Sequence, residues 1–246
     1  MYSLRALRCG LLKKRGAAVL LLLCAGLVFT AWQGRFSLPW TVQGGLRAAG
    51  AKTQQMQPPY ALQTAPPYTV AVDAGHGGMD TGAQALLDEL EVCNGTAEEL
   101  CAWLIADPNY CPVRTRPADA DRTSEERAET ATECRASLLI SIHANCDHST
   151  GQSHGFECFP TPPGRLYSAQ SLQFAQCIAQ EMEKAGHHLR GENGIRFAYY
   201  SGHSKKIVDS TDTAVRTQRS FGIVEKIGCP AVLAEQGFLT NAQDVK

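Results

Sequence analysis

Charge of one sign is what this chain lacks. Its 23 lysines and arginines face 24 aspartates and glutamates, a formal net charge of −1. No overall field therefore draws it to nucleic acid, and no local basic patch in the folded part replaces one, so no nucleic-acid partner is expected. None of its 10 cysteines stands in a C-x-x-C pair, which speaks against a structural zinc knuckle. No segment repeats at a fixed period, which excludes solenoid and propeller architectures. A clean small-x-small cleavage site is also missing behind the one long apolar run, where Phe29-Thr30-Ala31 is a poor substitute.

That run occupies residues 17–32 and follows Arg5, Arg8, Lys13, Lys14 and Arg15. It is close to the minimum length for crossing a bilayer, and the preceding positive charges set the amino terminus inside and the rest outside. Residues 1–32 therefore read as a signal anchor, with a cleaved signal peptide as the alternative. In either case the chain is exported. An oxidising exterior permits disulfides among the cysteines at 93, 101, 111, 134, 146, 158, 177 and 229, whose pairing the sequence leaves open. Many of them also suit the role of small buried apolar residues.

Residues 33–67 are rich in Gly, Gln, Ala and Pro without apolar periodicity, the composition of a flexible spacer. A single folded domain is expected over residues 68–246. A strand is expected at 70–73. A helix follows at 89–105, with Glu89, Val92, Cys93, Thr96, Ala97, Leu100, Cys101 and Leu104 on one face. Asp107-Pro108 stops it. Thr123 and Glu126 form a capping-box pattern that opens a second helix to about 136. Further strands are expected at 138–143, 155–159 and 231–235, with helices at 168–185, stopped by Gly186, and at 217–227. This alternation implies an α/β three-layer sandwich with a largely parallel central sheet flanked by helices.

Three chemically distinctive groups share one placement in that scheme. His76 follows the first strand within Asp73-Ala74-Gly75-His76-Gly77-Gly78, His143 ends the strand at 138–143, and Glu235 ends the last. Ligands of open α/β sheets bind beyond the carboxyl ends of parallel strands, so these side chains converge if the strands are neighbours. Glu89 is a fourth candidate. It falls on the apolar stripe of its helix, where a carboxylate is costly unless paired or bound to a metal. Two imidazoles and one carboxylate hold a tetrahedral zinc with an open position for water, leaving Glu235 to move protons. Each group has a plainer reading: a turn histidine, a core histidine, a carboxylate serving the helix dipole, and a partner for a buried arginine.

The ordered motifs resemble those of the zinc-dependent N-acetylmuramoyl-L-alanine amidases of the amidase-3 family, from about Tyr68 to the chain end. They are Asp73–Gly78 with Asp80 and Gly82, Thr115-Arg116 with Asp119 and Arg127, Ser141-Ile142-His143-Ala144-Asn145, Gly155-Phe156-Glu157, and Pro230–Asn241. The resemblance implies one Zn2+ per chain on His76, Glu89 and His143, catalysis by Glu235, and peptidoglycan as substrate. The chain is expected to act as a monomer tethered through its N-terminal segment.

The family's usual helix start differs from Glu89-Leu90-Glu91-Val92-Cys93-Asn94, and a register slip would transfer the ligand role to Glu91. Relatives also continue past Lys246 into a terminal helix, and many are shorter between Gly194 and Pro230. Asn145 and Glu157 read as fixing local geometry, and Arg116 and Arg127 as salt-bridge partners. His148, His154, His187, His188 and His203 read as surface residues. Residues 199–206 read as a solvated loop, with a lid over the glycan groove as the alternative. A zinc peptidase of the stem peptide would use the same groups. A non-catalytic wall-binding module would have lost one of the four, and all are present.

An uncleaved anchor predicts that the full-length protein fractionates with membranes. A shortened soluble form outside the cell would show cleavage instead.

Overall fold

The computed structural model describes residues 57–202 and 204–246. The apolar run at 17–32 and His203 fall outside them. None of the described helices is long and apolar enough to cross a membrane. Eleven elements follow one another: β1 (Tyr68–Ala74), α1 (Glu89–Ala106), β2 (Tyr110–Arg114), α2 (Ser124–Glu133), β3 (Leu138–Asn145), β4 (Glu157–Pro160), α3 (Ser168–Lys184), β5 (Arg196–Ser201), β6 (Ser204–Asp209), α4 (Gly222–Glu225) and β7 (Ala231–Phe238).

The main sheet has the order β2-β1-β3-β7-β4. Its β1–β2, β1–β3 and β3–β7 pairs are parallel, and only β4 runs antiparallel, against β7. One face of the sheet, with Val70, Val72, Ile140, Ile142, Val232 and Ala234, is covered by α1 and α3. The other, with Ala71, Leu139, Leu233 and Phe159, is covered by α2, α4 and the β5–β6 hairpin. Successive side chains of each central strand point to opposite faces and so feed two separate cores, and the three-layer α/β architecture holds.

Local signals explain the element ends. Thr123 Oγ1 accepts from Glu126 N at 3.2 Å, and Thr123 N donates to Glu126 Oε2 at 2.7 Å, which completes the capping box of α2. Gly186, with φ of 88°, closes α3: its N–H donates to Glu183 O, and that of His187 to Met182 O.

Several expectations are corrected. β2 went unread because Cys111 and Pro112 break its pattern. Proline is tolerated there because β2 is an edge strand, which does not need every N–H in the ladder. The helix expected over 217–227 contracts to the single turn of α4. Residues 199–201 and 204–206 are no loop but paired strand ends of the β5–β6 hairpin, anchored by Ala198 and Ile207 against the second core. All eight cysteines of the folded part are free thiols, with Cys93, Cys158 and Cys229 buried.

Residues 57–67, assigned to the spacer by composition, lie against the domain instead. Tyr60 is 9% exposed and donates its hydroxyl to Ala136 O at 2.7 Å, and Leu62 packs on the second core. Gln63 Oε1 accepts from Ser137 Oγ and Thr69 N. A single buried aromatic in a polar stretch leaves no periodicity to detect. Tyr60→Ala should cost about 3 kcal/mol by core truncation, and Tyr60→Phe about 1 kcal/mol for the lost hydrogen bond. Urea unfolding of the two variants checks both values.

Candidate metal centre

The turn after β1 is held from below. Asp73, fully buried, accepts two bonds from Arg127 Nη1 at 2.9 and 3.1 Å, one from Ser141 Oγ at 2.6 Å and one from Thr115 Oγ1. Arg127 Nη1 also reaches Ala74 O at 3.2 Å. Arg116, 1% exposed, makes no salt bridge among the described residues. It donates to four carbonyls instead, those of Ala74, Gly75, Pro117 and Ala118. Arg127 is thus the ion-pair partner the sequence suggested, and Arg116 is a backbone clamp.

His76 sits on this platform with φ of 62°. A non-glycine residue in that region costs on the order of 1–3 kcal/mol and persists only where its surroundings impose it. The strained backbone carries the imidazole over the sheet edge. His76 Nδ1 meets Asp80 Oδ2 at 2.9 Å, and Nε2 lies 2.8 Å from Glu89 Oε1. That second contact has ion-pair distance without hydrogen-bond alignment, so the buried Nε2 is left with no bonded partner. His143, two residues before β3 ends at Asn145, places Nδ1 3.2 Å from the same Glu89 oxygen.

Glu89 is pinned from the backbone as well. Its Oε2 accepts from Ala83 N at 2.9 Å, and its Oε1 from Ala144 N at 3.2 Å. Two glycines make room for the cluster. A Cβ at Gly75 would lie 2.3 Å from His143 Cε1, and one at Gly82 2.7 Å from Glu89 Oε2. Electrostatics follow from this crowding. Burial raises the Glu89 carboxyl, but His143 and His76 outweigh it and hold the group well below the usual carboxylate range. Burial lowers His76, and Glu89 and Asp80 more than reverse that shift.

The ligand atoms of His76, Glu89 and His143 lie within 4.8 Å of one another. The set fits a metal ion on chemical grounds. It offers two nitrogens and one carboxylate, an orphaned Nε2 pointing inward, and Asp80 orienting the other ring nitrogen from behind. The His76 and His143 side chains are 19% and 16% exposed, which leaves an open side. Glu91 is exposed, away from the cluster.

Glu235 stands beside it. β7 pairs Glu235 with His143 on β3, and β4 pairs Glu157 with Glu235, so the three residues form one row across the sheet. Glu235 is 9% exposed and its Oε2 has no hydrogen-bond partner. Burial pushes its pKa up to about 7, with His143 and Lys205 opposing and Glu89 and Glu157 reinforcing the rise. Gln236 ties the row to α1, since its side chain accepts from Thr96 Oγ1 at 2.9 Å and donates to His143 O at 3.3 Å.

Asn145 and Glu157 do fix geometry. Asn145 Nδ2 donates to Glu157 Oε1 at 2.7 Å, and Arg196 Nη1 to its Oε2 at 2.8 Å. His148 and His188 are exposed, whereas His154 and His187 are half-buried. His154 and His188 approach to 4.4 Å between ring centroids. Sequence reasoning missed the orienting contact of Asp80 and the links made by Gln236. A four-residue spacing inside a glycine turn follows no regular period, so Asp80 carried no signal beyond its motif position.

Fold and site together define an α/β protein with one candidate metal centre, among the described residues, at the carboxyl edge of its parallel sheet. The amidase-3 family, described as N-acetylmuramoyl-L-alanine amidase, matches residues 70–246, and the chain belongs to that family. It is 30% identical over 206 residues to a probable N-acetylmuramoyl-L-alanine amidase, AmiB, of Haemophilus influenzae, covering 74% of this chain and 48% of that protein. The chain thus spans about half the length of that relative. The catalytic domain of CwlV, an N-acetylmuramoyl-L-alanine amidase from Bacillus (Paenibacillus) polymyxa, superposes with a TM-score of 0.52 at 26% identity, covering 72% of this chain and 83% of that one. An N-acetylmuramoyl-L-alanine amidase from Clostridium difficile 630 gives a TM-score of 0.57 at 24% identity with the same coverage, a likeness of fold.

If the cluster holds a metal, the wild-type chain should carry one divalent ion. His76→Ala, His143→Ala and Glu89→Ala should lose it, and Glu91→Ala should retain it. Elemental analysis of the purified full chain checks this, and loss in Glu91→Ala alone would move the ligand role there.

Proposed function

We propose that the chain is an exported, zinc-dependent N-acetylmuramoyl-L-alanine amidase that cuts the bond between N-acetylmuramic acid and the L-alanine of the peptidoglycan stem peptide. One zinc per chain is assigned to His76, Glu89 and His143, and the proton transfers to Glu235. The observation that carries the reading is the meeting of these three ligand atoms within 4.8 Å, with Glu235 next to His143 in the strand register. Family membership supplies the scissile bond and the polymer. Export and tethering rest on the apolar run behind the N-terminal basic residues.

Zinc bound there would supply a Lewis acid for the amide carbonyl and a water of lowered pKa. The chain's own residues do the rest. Asp80 fixes the His76 ring, and the backbone amides of Ala83 and Ala144 fix the Glu89 carboxylate, so the ligand set is preorganised. Glu235 accepts a proton from the attacking water and returns it to the leaving nitrogen. A group with a pKa near the working pH serves both steps best, and Glu235 has that property because it is buried with an unbonded oxygen. Lys205, on the β5–β6 hairpin, opposes the upward shift of Glu235.

The defining assay is release of intact stem peptide, with a free L-alanine amino terminus, from purified peptidoglycan. Chelation should abolish the release and added zinc restore it. Cleavage inside the stem would identify a peptidase instead. Glu235→Gln should keep its zinc and lose on the order of 10²–10⁴ in kcat. Proton acceptance requires the carboxylate form, whose share grows as pH rises toward about 7. A bound dication favours that form further. The rate should therefore climb with pH over a range ending at or below about 7, and Glu235→Gln should flatten the climb.

A further inference from the structure

Where β2 ends at the edge of the sheet, a cavity of about 340 Å³ opens between residues 114–118 on one side and Arg122, just before α2, with Thr130, on α2, on the other. That volume lies within the range of about 300–1,000 Å³ in which small ligands are bound. Its lining includes Arg114, Arg116 and Arg122, with Thr115 and Thr130, and no carboxylate.

The three guanidinium groups play different parts. Arg116 spends its N–H groups on the four carbonyls of the clamp, so it contributes charge and at most one free donor. Arg114 and Arg122 keep most of theirs. Arg114 Nη2 makes a long bond of 3.3 Å to Asn94 Oδ1, and Arg122 Nη1 one of 3.4 Å to Thr130 Oγ1, both acceptors neutral. Arg114 Nε is buried with no partner at all, a costly state for a charged group unless something completes it. Among the described residues neither side chain forms a salt bridge.

Two acids of the surrounding elements, Asp73 and Glu126, are already committed, and Asp119 and Asp121 lie in the segment beside the cavity without lining it. Asp73 is taken by Arg127, Thr115 and Ser141. Glu126 is taken by the backbone N–H and hydroxyl of Thr123 in the capping box. A concave wall of one sign focuses its field on whatever enters, and guanidinium forks match the paired oxygens of carboxylates and phosphates.

We propose that this cavity is an oxyanion-binding site, separate from the metal centre, that takes a carboxylate or phosphate group carried on the polymer the chain acts upon. Oxyanion binding itself follows from the cavity alone, whereas its origin on the wall polymer rests on the function proposed above. Arg116 forms part of the cavity and also holds Gly75 O, immediately before His76. The anion site and the candidate metal centre therefore share the turn between them.

Calorimetric titration of the full chain tests this with two probes, inorganic phosphate and a stem pentapeptide bearing free carboxylates. At least one should bind saturably at one per chain, and the one that binds identifies the source of the anion. Arg114→Gln combined with Arg122→Gln should weaken that binding about tenfold or more, the equivalent of one charge-assisted hydrogen bond. His76→Ala should leave it intact. Arg122 is exposed, so Arg122→Gln alone keeps the fold and should still weaken binding measurably if the double variant unfolds. The proposal is overturned if neither probe binds below about 10 mM, the weak end of specific recognition. It is equally overturned if the Arg variants bind as wild type, or if His76→Ala abolishes binding while they do not. Stem-peptide release by the wild type is scored separately, so failure of the amidase reading leaves the phosphate result standing.

Discussion

A carboxylate with no exposure, Asp73, stands where β1 ends and the His76 turn begins, and the whole edge of the sheet depends on its being paired. An isolated buried charge is costly, and removing one partner of a buried pair costs about 3–5 kcal/mol. Arg127 from α2, Ser141 from β3 and Thr115 from the end of β2 all converge on it. One side chain thereby joins three strands and a helix beneath the candidate metal centre. The same arginine, with Arg116, then holds the carbonyls of Ala74 and Gly75. That grip imposes the left-handed backbone of His76.

Strain below is matched by crowding above. Glu89 reaches over the sheet edge from the first turn of α1 and is fixed there by backbone amides on two different segments, Ala83 and Ala144. The glycines at 75 and 82 leave no room for a Cβ, so the imidazoles and the carboxylate meet through bare backbone. Glu235 differs from Glu89 in the way that matters for chemistry. One carboxylate is surrounded by donors and held low, the other is buried with a free oxygen and raised to about 7. Two acids side by side with opposed environments take separate roles, one suited to holding a cation and one to exchanging a proton.

The convergence of His76, His143 and Glu235 was legible because ligands of a parallel sheet gather toward the carboxyl side of its strands, although β3 and β7 run on past His143 and Glu235 to Asn145 and Phe238. Glu89 was legible because an acidic residue on an apolar stripe breaks the helical period. The capping box of α2 and the glycine stop of α3 were equally plain. Tyr60 and β2 were not. A lone aromatic in a Pro/Gln-rich stretch and a proline-bearing edge strand contradict local pattern, and each is stabilised only by what it lands on. The hairpin strands at 196–201 and 204–209 hid for a related reason: Phe197, Ala198 and Tyr199 are buried in succession, so no alternation marks β5, and β6 opens on three exposed residues.

What the sequence determined alone was therefore the order of the five elements β1, α1, β3, α3 and β7 with the capped start of α2, and the residues whose chemistry conflicts with their local setting. Periodicity records which face of each element is apolar, and turn chemistry records where it ends. The tertiary structure decided which faces meet. Glu89 and His143 lie 54 residues apart, and Tyr60 and Ala136 lie 76 apart. No local pattern specifies the oxygen that a nitrogen will find across such a gap. The packing of α1 against β1 and β3 set the ligand distances, and burial between β3 and β4 set the proton affinity of Glu235, because desolvation and hydrogen-bond partners exist only once the chain has closed on itself.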